Sequence, residues 1–222
     1  MSIRRQLGGA ALLLLFAAAP AAAQAWDSPS FFAPRPGEDL GIFVTVPEAD
    51  EGDIGVQGIW RQEGNINLGV RGGVGGVEGN RTILLGAEFF GGLPIASLPV
   101  NASWIVGFGA GFDDDVTMLR VPLGISVGTF LGEGSGFRVQ PYVHPRVAFD
   151  LAAIGEGDNE ETETDFSFAI DIGADVDLSE RFAVKAGYTF AFGPDFDTRF
   201  DFYPNTFGAG VAWRMPRRVR GN

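Results

Sequence analysis

The chain has 222 residues, including 28 acidic residues and 16 Lys or Arg, and its formal net charge is −12. The absence of Cys excludes disulfide scaffolds, thiolate metal sites and cysteine nucleophiles. The acidic balance argues against nucleic-acid binding, which requires a basic surface. A hydrophobic content of 45% argues against a disordered chain. Gly (33 residues) and Phe (20 residues) are both abundant, a pairing that a loop-rich chain does not explain.

Residues 1–24 have the pattern of a secretory signal peptide. A positively charged start is followed by a short apolar stretch, residues 7–19, and by a small-residue cleavage site at Ala21–Ala23. The apolar stretch is too short for a membrane-anchor helix. Residues 25–38, which are rich in Pro, are interpreted as a linker at the start of the mature chain.

From Asp39 onward, apolar and polar residues alternate with period 2, which is typical of β-strands. The first segment is the least regular, because Phe43 lies on its polar face. No segment of the mature chain has the period of a helix. Ten strands are predicted, with eight as the alternative, over residues 39–47, 53–62, 66–76, 81–91, 102–112, 116–130, 137–151, 164–178, 181–192 and 206–215.

The two faces of these segments predict a transmembrane barrel rather than a soluble one. A soluble barrel would turn its polar face to solvent, yet that face is rich in Gly, which weakens a strand. In a transmembrane barrel the apolar face contacts lipid, and the lumen takes small and charged side chains. Gly in the lumen would relieve crowding in a narrow interior.

The polar face also supplies charged side chains that we expect to form a salt-bridge network in the lumen. The expected network comprises Arg61, Arg71, Glu88, Arg120, Arg138, His144, Arg146, Asp150, Asp171, Asp175, Lys185 and Arg214. An unpaired buried charge is costly, so the arginines should meet acidic partners. For Arg120, Arg138 and Arg146, the expected partners are Glu88, Asp150, Asp171 or Asp175.

Aromatic residues recur near both ends of the apolar faces, as in the girdles that mark membrane–water interfaces. The expected periplasmic girdle is Trp60, Phe89, Trp104, Phe137, Phe182 and Trp213, and the expected external girdle is Phe112, Phe149, Phe166, Phe192 and Phe207. The spacing between girdles matches an apolar band about 25 Å tall. Residues 152–163 and 193–205 are expected to be long external loops.

Pro122 and Pro145 lie within two segments that should pair as a hairpin. Pro lacks the N–H group that a strand ladder uses, and a closed barrel has no free edge to accommodate it. The sequence therefore predicts a ladder break or bulge near these residues, with an open seam as the alternative.

Three stretches resemble the small bacterial outer-membrane β-barrel superfamily, the OmpA/OmpX-like group: Asp177–Tyr188, Val139–Val143 and Gly208–Trp213. The resemblance covers about residues 39–215. It implies an all-β fold, a single closed antiparallel up-and-down transmembrane barrel in a Gram-negative-type envelope. It also implies outer-membrane lipid and the outer-membrane assembly machinery as partners. In this family the last strand usually ends the chain, whereas here a basic tail, residues 216–222, follows it.

The sequence offers little catalytic chemistry. His144 is the only His, and a position in the middle of the lumen gives a general acid or base no substrate. We therefore expect no catalytic residue, no cofactor and no metal centre. Acidic residues at 113–115 and 156–165 suit weak binding of divalent cations, although a solvated charged loop is the simpler interpretation.

The favoured function is that of a monomeric, non-enzymatic outer-membrane barrel with a structural or surface-interaction role in the envelope. Its lumen would be largely filled by the salt-bridge network. The first alternative is a narrow, porin-like pore for small solutes, since many lumen positions are Gly. The second alternative is a secreted soluble barrel that binds an apolar ligand inside.

Overall fold

The structure is a computed structural model that describes residues 29–34, 38–48, 52–64, 66–77, 80–95, 99–112, 116–132, 138–154, 161–193 and 205–215. The expected signal peptide and the expected basic tail lie outside the described residues. So do the girdle residue Phe137 and the acidic residues at 113–115. Among the described residues, no helix is long and apolar enough to cross a membrane.

The described chain forms ten antiparallel strands that close into a barrel. The strands are β1 (Asp39–Pro47), β2 (Gly52–Gln62), β3 (Leu68–Val77), β4 (Asn80–Leu93), β5 (Asn101–Phe112), β6 (Val116–Gly128), β7 (Arg138–Ile154), β8 (Glu161–Asp177), β9 (Phe182–Phe192) and β10 (Thr206–Arg214). Each strand pairs with the next along the chain, and β1 pairs with β10. We call the mouth where β1 begins and β10 ends the terminal mouth, and the opposite one the distal mouth.

This architecture confirms the closed up-and-down barrel that the alternation predicts, and the alternative of eight strands is wrong. One expected connection also differs. Residues 152–163 were expected as a long loop, but β7 extends to Ile154 and β8 begins at Glu161. The ladder continues to the pair Ile154–Glu161, because main-chain pairing does not require apolar side chains once a hairpin has formed.

Apolar side chains cover the outer surface of the barrel. Ile42, Leu123 and Val211 are 62%, 52% and 57% exposed, and in each strand such residues alternate with inward-facing ones. Exposed apolar surface on this scale is unfavourable in water and is typical of the lipid-facing side of a membrane barrel. The alternative of a soluble barrel with an apolar interior is therefore wrong, since the apolar side chains that such a barrel would bury face outward.

The aromatic residues assigned to the girdles, within the described chain, lie on this outer face. Register places Trp60 and Trp213 beside Leu40 at the terminal mouth. Phe182 pairs with Trp213, and Phe89 and Trp104 lie toward the same mouth. Toward the distal mouth lie Phe112, Phe149, Phe166, Phe192 and Phe207. Their contact with the membrane–water interface stays a prediction.

Two prolines interrupt the ladders without opening the barrel. The β5–β6 ladder lacks its pairs at Pro122, and the β6–β7 ladder lacks its pairs at Pro145. The register is the same on both sides of each gap, so neither Pro produces a bulge. The predicted ladder break is confirmed at both positions, and closure of the sheet rules out the open seam.

The outward position of Leu123 provides a test of the membrane-facing surface. Leu123 lies at mid-height, between Val106 and Val147 on the neighbouring strands. We expect Leu123→Arg to lower the free energy of unfolding by about 2–4 kcal/mol, because it places a charge at the bilayer midplane. Leu40→Arg, near the terminal mouth, should cost only about 0–1 kcal/mol. Denaturant unfolding in phospholipid vesicles measures both, and equal costs would contradict the assigned membrane position.

Candidate functional site: the filled lumen

The structure places every residue assigned to the lumen network on the inward face of its strand: Arg61, Arg71, Glu88, Arg120, Arg138, His144, Arg146, Asp150, Asp171, Asp175, Lys185 and Arg214. Most of these side chains are buried. The exceptions lie at the terminal mouth, where the side chains of Arg138 and Arg214 are 41% and 22% exposed. Buried charges need partners, and the pairs form four groups, two of which, around Glu88 and Asp171, meet at Ser30.

Glu88 joins two arginines from neighbouring strands. Arg61 Nε lies 2.6 Å from Glu88 Oε1, and Arg71 NH2 lies 2.8 Å from Oε2. Each carboxylate oxygen thus accepts a charge-assisted hydrogen bond, which is stronger than a hydrogen bond between neutral groups. Two guanidinium groups face one carboxylate, so this group carries an excess of positive charge that suits further acceptors.

The carboxylate of Asp171 has four hydrogen-bond or ion-pair partners. Its Oδ1 accepts hydrogen bonds from Thr189 Oγ1 at 2.8 Å and from Arg146 NH2 at 3.1 Å. Its Oδ2 lies 3.1 Å from His144 Nδ1 and accepts a hydrogen bond from the backbone N–H of Ser30 at 3.0 Å. The carboxylate thereby connects strands β7, β8 and β9 to a residue that precedes the barrel.

A third group lies between β6, β7 and β8. Arg120 binds Asp150 through two bonds, Nε to Oδ1 at 2.5 Å and NH2 to Oδ2 at 2.9 Å. Ser167 Oγ donates to Asp150 Oδ2 at 2.5 Å and accepts from Arg120 NH2 at 3.1 Å. Arg120 and Asp150 thus form a bidentate ion pair that is buried and is also hydrogen-bonded to Ser167.

The fourth group lies at the terminal mouth. Lys185 Nζ contacts Asp39 and lies 3.7 Å from Asp175 Oδ2. Arg214 NH2 lies 3.0 Å from Asp175 Oδ1 and also contacts Asp177. Neither Asp39 nor Asp177 was among the predicted network residues, although the alternation places both on the inward face of their strands.

The expected pairing is wrong for one arginine. Arg120 and Arg146 meet acids from the expected set, but Arg138 pairs with Asp177, with Nε 2.6 Å from Oδ2. The cause is register, since Arg138 lies directly opposite Asp177 in the β7–β8 ladder. Alternation assigns a residue to a face, whereas the height at which two strands pair depends on the folded sheet.

Residues 29–34, which we call the lumen segment, lie inside the barrel. The sequence suggested a linker over 25–38, of which the structure describes residues 29–34 and Glu38. Phe31 and Phe32 are fully buried, and Ser30 is 5% exposed. Pro34 lies near the terminal end of β5, whereas Ser30 lies at mid-height. The segment therefore rises from the terminal mouth to the middle of the lumen.

Barrel side chains bind the backbone of the lumen segment. Arg61 NH2 donates to the Ser30 carbonyl at 2.7 Å, and Arg61 NH1 donates to the Phe31 carbonyl at 2.8 Å. Ser126 Oγ donates to the Phe32 carbonyl at 2.5 Å, and Ser103 Oγ donates to the Pro34 carbonyl. These donors satisfy carbonyl groups of a buried segment that lies outside any sheet or helix.

The two phenyl rings of the lumen segment occupy separate apolar pockets. Phe31 stacks on Phe43 with ring centroids 4.0 Å apart, and Ile59 completes that cluster. Phe32 packs edge-on against Phe90 at 5.5 Å, and Ile105 completes the second cluster. The irregular inward position of Phe43 therefore reflects its contact with the segment. Apolar residues at inward positions of β1, β2, β4 and β5 were a sequence signal for an internal apolar occupant.

Two local features show how tightly the segment is held. Phe31 has φ of 49°, in the left-handed region that a bulky L-residue rarely adopts unless its surroundings impose it. A Cβ added at Gly208 would lie 2.7 Å from Phe31 Cζ, and one at Gly173 would lie 2.5 Å from the Tyr142 hydroxyl. Gly in the lumen thus provides space for large inward side chains, in line with the expected role of Gly in relieving crowding there.

Two cavities lie beside the lumen segment. One of about 30 Å³ lies beside Ser30, His144 and Arg146, which is enough space for a water molecule. A larger cavity, about 500 Å³, lies at the terminal mouth beside Pro34 and Leu93. The larger of these two cavities therefore lies at the terminal mouth, and the smaller one lies at mid-height.

Ser30, His144 and Asp171 lie together but do not have the geometry of a hydrolytic triad. Ser30 Oγ lies 2.7 Å from His144 Nδ1, and Asp171 Oδ2 lies 3.1 Å from the same nitrogen. A proton relay requires the nucleophile and the acid on opposite ring nitrogens. Among the described residues, no group of three His, Cys, Asp or Glu could hold a metal ion.

Comparisons with known proteins agree with this architecture. The family model for the outer membrane protein beta-barrel domain matches residues 8–214. The β domain of the Bordetella autotransporter BrkA has 13% identity and a TM-score of 0.50, covering 82% of this chain and 100% of that one. The N-terminal β-barrel domain of Pseudomonas aeruginosa OprF has 15% identity and a TM-score of 0.40, with the same coverage. Neisserial surface protein A has 13% identity and a TM-score of 0.41, covering 80% and 96%.

At these identities, likeness to solved structures concerns the fold alone. Curated protein sequences give no match to this chain. The family match nevertheless spans most of the sequence and coincides with the closed barrel and its apolar outer surface. The chain therefore belongs to the outer membrane protein β-barrel family, whose members reside in the bacterial outer membrane.

Proposed function

We propose that this protein is a non-enzymatic, non-conducting structural barrel of the outer membrane. The observation that carries the proposal is the lumen segment, which fills the middle of the barrel beside a cavity of only about 30 Å³. The charge groups fill the space around it. A barrel of about eight strands has an interior that side chains fill, whereas about sixteen strands leave a channel.

The rest of the proposal concerns how the protein is placed in the envelope. Residues 1–24 direct export, the assembly machinery inserts the barrel, and the terminal mouth faces the periplasm. Outer-membrane lipid surrounds the apolar surface as the main partner of a monomer. The acidic residues at 156–165 interact with surface partners or bind divalent cations weakly. No catalytic residue or cofactor is part of the proposal.

Planar-bilayer recording tests the closed lumen against the porin-like alternative. We expect the full-length chain to give no stable openings, because the lumen segment and the ion pairs leave no continuous water path. Stable openings on the nanosiemens scale would contradict the proposal and favour the pore. Resistance to carbonate extraction serves as the control, since it shows that a silent sample contains inserted barrels.

A further inference from the structure

The lumen holds residues 29–34 in the way that a binding site holds a peptide. The barrel contacts the backbone of the segment at four of its six carbonyls, those of Ser30, Phe31, Phe32 and Pro34. It also binds the Ser30 N–H. Such contacts recognise a main chain regardless of its side chains. The groups that make them come from β2, β3, β5, β6 and β8, so the site exists only in the closed barrel.

The side chains of the segment meet equally specific surroundings. Phe31 and Phe32 enter different apolar pockets, and Arg61 lies 5.2 Å from the centre of the Phe32 ring. Ser30 Oγ reaches His144 Nδ1 at 2.7 Å. Without an occupant, Phe43 and Phe90 would face the water of a polar lumen, which is unfavourable for large apolar side chains. These pockets therefore select a hydroxyl residue followed by two aromatic residues.

The occupant is also reachable and separable from the barrel. The lumen segment is not part of the sheet, and the ladder from β1 to β10 closes without it. A cavity of about 500 Å³ at the terminal mouth lies against Pro34, on the path by which the segment enters. Another peptide would have access from the same side.

Resting on the proposed closed lumen, we propose that the interior of the barrel is a binding site for a peptide with a Ser-Phe-Phe pattern. The chain's own residues 29–34 are its resident, displaceable occupant. Release of this occupant from its pockets opens a water path along the glycine-lined, charged lumen. The site thus gives the protein a second state, an open one, which an aromatic peptide of the same pattern closes again.

The first experiment compares the full-length chain with its Phe31→Ala/Phe32→Ala variant in planar bilayers. The hexapeptide Pro-Ser-Phe-Phe-Ala-Pro is added at the terminal-mouth side, and Pro-Ser-Ala-Ala-Ala-Pro is the matched control. We expect stable openings in the variant but not in the parent chain. The first peptide should reduce the open time several-fold, and the control peptide should leave it unchanged. A folded variant that stays silent, or equal effects of both peptides, would overturn the proposal.

A second experiment tests the peptide-binding site even if the Phe31→Ala/Phe32→Ala variant does not fold. Because the chain has no Cys, the full-length Ser30→Cys variant carries a single thiol at a position that is 5% exposed. We expect a water-soluble maleimide to label it slowly, and an excess of the aromatic hexapeptide to raise the rate several-fold by displacing the segment. No acceleration, or the same acceleration by the control peptide, refutes the binding site. Conduction by the parent chain would refute only the closed lumen of the proposed function.

Discussion

Replacing Arg61 with Ala is expected to lower the free energy of unfolding by about 3–5 kcal/mol, the cost of breaking a buried ion pair. Arg61 is fully buried and joins Glu88 to the carbonyls of Ser30 and Phe31. Its loss leaves Glu88 with one guanidinium partner fewer and leaves two buried carbonyls without this donor. Urea titration of the purified barrel in detergent micelles, followed by circular dichroism, measures the change.

Arg181→Ala is the matched control for Arg61→Ala, because Arg181 lies exposed in the turn between β8 and β9. Such a surface substitution should change the free energy of unfolding by no more than about 0.5 kcal/mol. Arg61→Lys adds a second comparison, since Lys keeps the charge but lacks the planar fork that reaches several acceptors. Equal small effects of Arg61→Ala and Arg181→Ala would show that the lumen network does not stabilise the barrel.

Asp171→Asn is expected to have a comparable effect, about 3–5 kcal/mol, because it removes the charge from a fully buried carboxylate beside Arg146. The amide keeps the size of the side chain, so lost packing does not explain the change. The variant also weakens the acceptor for the Ser30 N–H. Combined with Ser30→Cys, it should therefore speed maleimide labelling as well as lower stability.

Asp165→Asn is the control for Asp171→Asn, since Asp165 is exposed on β8 six residues earlier. Asp165→Asn should leave the free energy of unfolding and the rate of maleimide labelling close to those of the parent chain. A loss of stability in Asp171→Asn without faster labelling would mean that Asp171 supports the barrel wall alone. That result would remove one of the anchors assigned to the lumen segment.

The sequence identified the strands because membrane barrels impose a strict rule on every strand. Lipid requires apolar residues on one face, and the narrow lumen requires small or polar residues on the other. In β7, this rule separates Val143 and Val147 from His144 and Arg146 without ambiguity. Alternation does not report where a ladder stops, so β7 and β8 extend further than their apolar residues indicated.

The partners of the lumen charges were only partly predictable. Arg120 lies directly opposite Asp150 in the β6–β7 ladder, and Arg138 lies opposite Asp177 in the β7–β8 ladder. Both pairs follow from register, which a single strand's pattern does not contain. Arg61 and Glu88 belong to strands separated by β3, and their contact depends on the curvature of the closed barrel.

The sequence by itself determined that the chain forms a membrane barrel and which charged side chains face its lumen, whereas the closed sheet decided between ten strands and eight. Period 2, a property of the extended backbone, carries that information locally. Only the tertiary structure decided what fills the lumen. Residues 29–34 have no period and resemble a linker, and their place depends on pockets formed by Phe43, Ile59, Phe90 and Ile105 from four different strands. These residues converge only when the barrel closes, and lumen Gly such as Gly208 leave space for the buried rings.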